Sequence, residues 1–191
     1  MTLAEDLVNS YSYSQDRDLL DPDTLADLAA ARGWRGPAAT PADVDRVRAL
    51  RPLLRGVFEA TDEQDAVERA NDIVERSGLL LRLTRHHGGP WHFHGVTRTA
   101  KLPDWLAGVS SFALLSVIER GDGDRLHHCA GTDCHAVFVD VSRNKSRRYC
   151  DPALCGNRAH VAAHRARQRR TQLRPGLNTG RAGTRSSGTD T

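Results

Sequence analysis

Four cysteines constrain this chain more than any other feature. Cys129 and Cys134 are separated by four residues, Cys150 and Cys155 by four, and fifteen lie between the pairs. Two tight turns that each offer two sulfurs can close around one tetrahedral zinc ion. Asp133 and the Asp151-Pro152 step place turn-forming residues inside the two pairs. Two local disulfides are the competing arrangement and unconnected free thiols the third. Cytosolic proteins seldom keep structural disulfides, and that favours metal. Four protein thiolates leave no open position for water, so one zinc ion held this way is structural and not catalytic. His127, His128 and His135 flank the knuckles and read as bystanders, because four sulfurs already complete the set.

Charge is divided along the chain. The net +3 conceals 14 basic against 20 acidic residues over 1–124, and 11 against 3 over 125–174. Such a division points to one part that meets a polyanion and another that does not. Lys101 and Lys145 are the only lysines, an arginine bias that points to a GC-rich bacterial genome. No apolar run approaches the roughly 20 residues needed to span a bilayer, and the first six residues lack a basic start followed by an apolar core. The expectation is a cytoplasmic protein with no membrane partner.

The N-terminal two-thirds reads as α+β, mainly helical. Leu3, Leu7 and Val8 predict a short first helix. Asp21-Pro22-Asp23 and Thr40-Pro41-Ala42-Asp43 are helix starts, each with a cap followed by proline. The first of these helices ends at Gly33; the second is expected to kink or divide at Pro52. Asp62 to Ser77 is the next helix, closed by Gly78. Leu79–Thr84 and Trp91–Val96 flank a glycine-rich turn and predict a β-hairpin. Pro103 to Arg120 predicts an amphipathic helix leading into Gly121-Asp122-Gly123, and Ala136–Val141 a strand between the knuckles. The expected units are 1–124, a zinc finger with its basic helix over 125–173, and a disordered tail over 174–191.

A helix is expected from Gly156-Asn157-Arg158 to about Gln172, with Gly156 letting backbone amides approach the thiolates. At 100° per residue, Ala159, Ala162, Ala163 and Ala166 form a small apolar stripe suited to lie against the zinc module. Arg158, Arg165 and Arg169 share one flank of it; His160, His164 and Arg167 share the other. With Arg170, and with Arg143, Lys145, Arg147 and Arg148 from the preceding loop, these are the candidate phosphate contacts. Asn157 is a candidate for reaching base edges. A solvated helix, or one docked on the acidic N-terminal part, is the competing reading.

These residues carry a resemblance. Cys129…Cys134, then Phe138-Val139-Asp140-Val141-Ser142-Arg143-Asn144, Ser146-Arg147-Arg148-Tyr149-Cys150 and Cys155-Gly156-Asn157-Arg158 closely resemble the CGNR zinc-finger family. Leu7-Val8-Asn9-Ser10, Asp18-Leu19-Leu20 and Arg48-Ala49-Leu50-Arg51 resemble its usual companion, the ABATE domain. The resemblance implies a bacterial, stress-linked transcription regulator whose finger binds DNA. Two positions depart from the family pattern. Tyr149 stands where tryptophan is usual, and His160 where lysine or arginine is common, which would make one phosphate contact pH-dependent.

The function expected is transcription regulation through double-stranded DNA, with RNA, or an acidic protein surface that takes the basic finger, as the alternatives. A homodimer and a small-molecule effector of the N-terminal domain stand among the expected partners, and Trp34, Trp91 and Trp105 could line an effector pocket or pack the core. His86, His87, His92 and His94 read as exposed hairpin residues, since no third metal ligand accompanies them. Asp16, Asp18, Asp21 and Asp23 lack the distal glutamate of a cation loop. No catalytic residue is assigned. Oxidation of the thiolates with release of zinc is a further reading.

Overall fold

The computed structural model describes residues 2–12, 16–85, 89, 92–99 and 101–172, without the side chains of 92 and 170–172. Helix α1 spans Leu3–Val8, and the short strands β1 (Tyr11–Ser12) and β2 (Arg17–Asp18) pair antiparallel after it. Helices α2 (Pro22–Ala31), α3 (Pro41–Phe58) and α4 (Glu63–Ser77) follow. The first two have the predicted caps, Asp21 and Thr40, and Asp62, expected as the first residue of the third, caps it instead; all three side chains accept backbone N–H groups three residues on. Gly78 closes α4 at φ 63°, a left-handed position where a side chain would be strained.

The predicted hairpin is β3 (Leu79–Thr84) paired with β4 (His92–Thr97), and helix α5 (Leu102–Glu119) comes next. Trp91 and most of the hairpin turn lie outside the described residues, as does the segment expected to be a disordered tail. The core joins Leu3, Leu7 and Val8 of α1 to Val47, Leu54 and Val57 of α3 and to Leu106 and Leu114 of α5. Trp105 is buried in it, packs 5.4 Å from Trp34 and donates to the Gly95 carbonyl at 3.0 Å. Both tryptophans therefore serve packing.

Three expectations need correction. Helix α3 runs unbroken through Pro52, which is exposed. Proline removes one backbone donor there, but Leu50, Arg51, Leu54, Val57 and Phe58 bury the opposite face and keep the helix from dividing. Helix α5 is not simply amphipathic: Leu106, Ser110, Ser111 and Leu114 are fully buried and the helix runs through the middle of the domain. It also has the length and hydropathy of a membrane span, which the sequence reading excluded, yet 61% of it is buried against the protein's own core. The third correction is an unforeseen strand. After a 3₁₀ turn at Gly123–Arg125, β5 (Leu126–His128) pairs antiparallel with β6 (Val137–Val139), the middle of the predicted strand.

Candidate metal centre and basic helix

Strand β6 is buried on both faces, and this positions the cysteines. Val137 and Val139 enter the helical core, while Phe138 turns the other way. Phe138 packs 5.5 Å from the His127 ring, and the Arg147 guanidinium covers it at 4.9 Å. One edge of β6 pairs with β5. The other is closed by side chains of α1: Asn9 donates to the Val137 carbonyl at 2.8 Å and accepts the Val137 N–H at 2.9 Å, and the buried Glu5 carboxylate accepts the Val139 N–H at 2.9 Å. Residues four apart on a helix rise about 6 Å, and alternate strand residues advance about 6.6 Å. Glu5 and Asn9 thus match the spacing of a strand edge and take the place of a third strand. Replacing Asn9 with alanine leaves both polar groups of the fully buried Val137 unpaired, so a loss of about 2 kcal/mol is expected in urea unfolding.

Cys129 leaves the end of β5, and its N–H donates to Ala136 across the first knuckle at 2.8 Å. Asp133 makes the turn at φ 60°, and Gly131 lies so close that an added Cβ would stand 3.2 Å from Cys155 Cβ and 3.4 Å from Cys129 Sγ. In the second knuckle Asp151 caps a π-helical turn, Pro152–Gly156, by accepting from the Ala153 and Leu154 amides. Gly156 has a different role from the one expected. Its N–H bonds to the Asp151 carbonyl, not to a sulfur, and it is buried beside the Tyr149 ring.

The four sulfurs lie within 4.8 Å of one another. Cys134 and Cys150 Sγ are 3.7 Å apart, as are Cys150 and Cys155 Sγ. Zinc–sulfur bonds of about 2.3 Å in a tetrahedron require sulfur–sulfur edges of about 3.8 Å, so the donor set fits. The Gly131 and Cys150 amides donate to Cys129 Sγ at 3.4 and 3.3 Å. Burial opposes a charge on Cys129, but these donors outweigh it and lower its pKa. Burial and the neighbouring sulfurs push the Cys150 thiol up, and Cys155 up to about 11. Such crowded thiols ionise together only around a cation. The arrangement binds a single zinc ion, and no histidine joins this cluster among the described residues. Cys129, Cys134, Cys150 and Cys155 would hold the ion, whose positive charge would let the four thiolates coexist and so tie the two knuckles together.

The basic candidates divide into two groups. Lys145, in a left-handed turn at φ 48°, pairs with Asp124 at 2.6 Å and Asp122 at 3.1 Å. Arg147 donates to the Tyr149 and Cys150 carbonyls while covering Phe138, and its own N–H goes to the fully buried Asp140. Both brace the loop between the knuckles. Arg143 and Arg148 are exposed, as are Asn157, Arg158, His160, Arg165, Arg167 and Arg169 of α6 (Asn157–Gln172). The Arg170 side chain lies outside the described set. The alanine stripe does not dock: Ala159 is half-buried, but Ala162, Ala163 and Ala166 are exposed. Helix α6 packs against the turn just before it.

Unexpectedly, the three short matches in the N-terminal part meet in space. Arg51 donates to Asp18 through both terminal nitrogens at 2.7 Å and to Ser10 Oγ at 2.9 Å. Arg48 adds a bond to Asp18 at 2.9 Å and one to the Leu20 carbonyl at 3.0 Å. This network belongs to the fold and not to the metal centre. Asp18 and Asp21 are spent on it and on the α2 cap, which answers the acidic run noted in the sequence.

A helical domain that shares a buried strand with a four-thiolate knuckle defines a two-part zinc-finger protein. Residues 2–121 match the ABATE family, described as "Putative stress-induced transcription regulator", and residues 125–168 match the CGNR zinc finger. The chain belongs to the ABATE family and carries the CGNR finger in the order the resemblance implied. No individual curated protein matches it in sequence.

Proposed function

We propose that the chain is a transcription regulator that binds double-stranded DNA by laying α6 in the major groove, with zinc fixing the helix to the body. The observation that carries this reading is that α6, exposed from Arg158 to Arg169 apart from Ala159, bears arginines and no acidic residue. A major groove about 12 Å wide admits such a helix. Arg158, Arg165 and Arg169 lie along one flank to meet phosphates, joined by Arg143 and Arg148 from the loop, while Asn157 at the start of the helix is placed to read a base edge. Leu154 and Val161, 59% and 49% exposed beside these arginines, supply apolar contact of the kind that suits thymine methyl groups.

Fluorescence anisotropy with duplex DNA tests the proposal. Log affinity is expected to fall with log salt at about 0.9 per phosphate neutralised. The triple change Arg158→Glu, Arg165→Glu and Arg169→Glu is expected to weaken binding more than a hundredfold and to flatten that slope by about 2.7. A salt-independent affinity, or tighter binding to RNA or to an acidic protein than to duplex DNA, would overturn it.

A further inference from the structure

A cavity of about 330 Å³ opens where the C-terminal ends of α3 and α5 meet the start of α4 and the turn into β5. Its floor is apolar: Val57, Phe58, Ala66 and Ile118 are buried, and Leu126 of β5 completes it from the zinc-finger side. Its mouth is acidic. Asp62, Glu63 and Asp124 are exposed there, and no arginine, lysine or histidine lines it.

The three carboxylates differ in how far they are already engaged. Asp62 spends one oxygen on the Asp65 amide, and Asp124 is held by Lys145. Glu63 has no hydrogen-bond or ion-pair partner among the described residues. Its Oε2 lies over Gly123 at the opening, 2.8 Å from where a Cβ would stand. An apolar recess of this size lies at the lower end of ligand-pocket volumes, about 300–1,000 Å³. The charged side chains of its lining are all acidic, and with Asp124 already paired to Lys145, Glu63 is the one that selects the charge of the occupant.

We infer that this cavity is a binding site for a small organic ammonium ion: an apolar body seated on Phe58, Ala66 and Leu126, and a cationic head held by Glu63 with the second oxygen of Asp62. The occupant would touch the helical domain and the finger together, because Leu126 begins the strand that leads to Cys129 and Asp124 anchors Lys145 of the loop between the knuckles. That is the position an effector needs in order to bias one part against the other. The inference does not rest on DNA binding, and its test is run without nucleic acid.

The full-length, zinc-loaded protein is titrated by calorimetry with phenethylammonium chloride, 2-phenylethanol and ethylammonium chloride. Nuclear magnetic resonance then locates the site. Phenethylammonium is expected to bind one-to-one, at least tenfold tighter than the uncharged alcohol and than the cation without an apolar body, with shifts centred on the Glu63, Gly123 and Leu126 amides. Ala66→Leu, which fills the floor, is expected to weaken it at least tenfold. Glu63→Gln, on the exposed first turn of α4, is expected to weaken it about threefold and leave 2-phenylethanol unchanged, and it decides the matter if the leucine variant does not fold. Equal affinity for ammonium and alcohol, or shifts centred elsewhere, would overturn the assignment.

Discussion

Stripping the zinc with a chelator is expected to unfold the knuckles and to lower the thermal midpoint of the helical domain as well. Structural zinc contributes about 10–16 kcal/mol of apparent binding free energy in small modules near neutral pH, more than most domains have to spare. Here the loss spreads, because Val137 and Val139 belong to the core that also holds Leu3 and Leu7. Burying each valine is worth roughly 1.5–3 kcal/mol, and both come free when β6 detaches. Cys150→Ser tests the same point without a chelator, since Cys150 Sγ stands 3.7 Å from the sulfurs of both Cys134 and Cys155. Acid is expected to act in the same direction. The thiol of Cys155 is pushed up to about 11 when no cation neutralises the group, so binding zinc expels protons and affinity falls as pH drops. Circular dichroism melts with zinc quantified at each pH check both statements. A metal-free protein that melts at the zinc-loaded temperature would refute them.

The features legible in the sequence are those written in neighbouring residues. Cysteine spacing, the cap-proline starts at Asp21 and Thr40, and the glycine stop at 78 each act over a few positions, and each appears in the structure. What escaped reading depends on distant partners. Asn9 and Val137 are 128 positions apart, and nothing local to either announces that α1 closes the edge of β6. Pro52 misled because the local cost of proline is real, yet buried side chains on either side of it outweigh that cost. The alanine stripe on α6 misled in the opposite way, since small apolar side chains permit docking without compelling it. For the same reason the loop cations could not be sorted by charge alone: Lys145 and Arg147 are spent on Asp124, Asp140 and nearby carbonyls, while Arg143 and Arg148 face solvent.

Arg51 and Asp18 are expected to show the largest single-residue effect in the helical domain. The Arg51 side chain is only 10% exposed and the Asp18 side chain 26%, and their paired 2.7 Å bonds form the two-pronged contact that arginine makes best with a carboxylate. Asp18→Asn leaves a buried guanidinium without its counter-charge, a change that costs on the order of 3–5 kcal/mol in buried pairs. Replacing both, as Asp18→Leu with Arg51→Met, removes the stranded charge and is expected to cost less than Asp18→Asn alone. The pH dependence separates this account from simple loss of packing. The hydrogen bond from Arg51, aided by the Leu20 amide and by Arg48 and opposed by partial burial, holds the Asp18 carboxyl well below the usual range. A depressed folded value means the stabilisation is complete above the unfolded value near 3.9 and fades as pH falls toward the folded one. Urea midpoints of the native chain and Asp18→Asn are therefore expected to stay a constant distance apart from pH 5 to 7 and to converge below about 4. A gap that keeps its size down to pH 2 would mean that shape at this site, and not charge, holds β2 to α3.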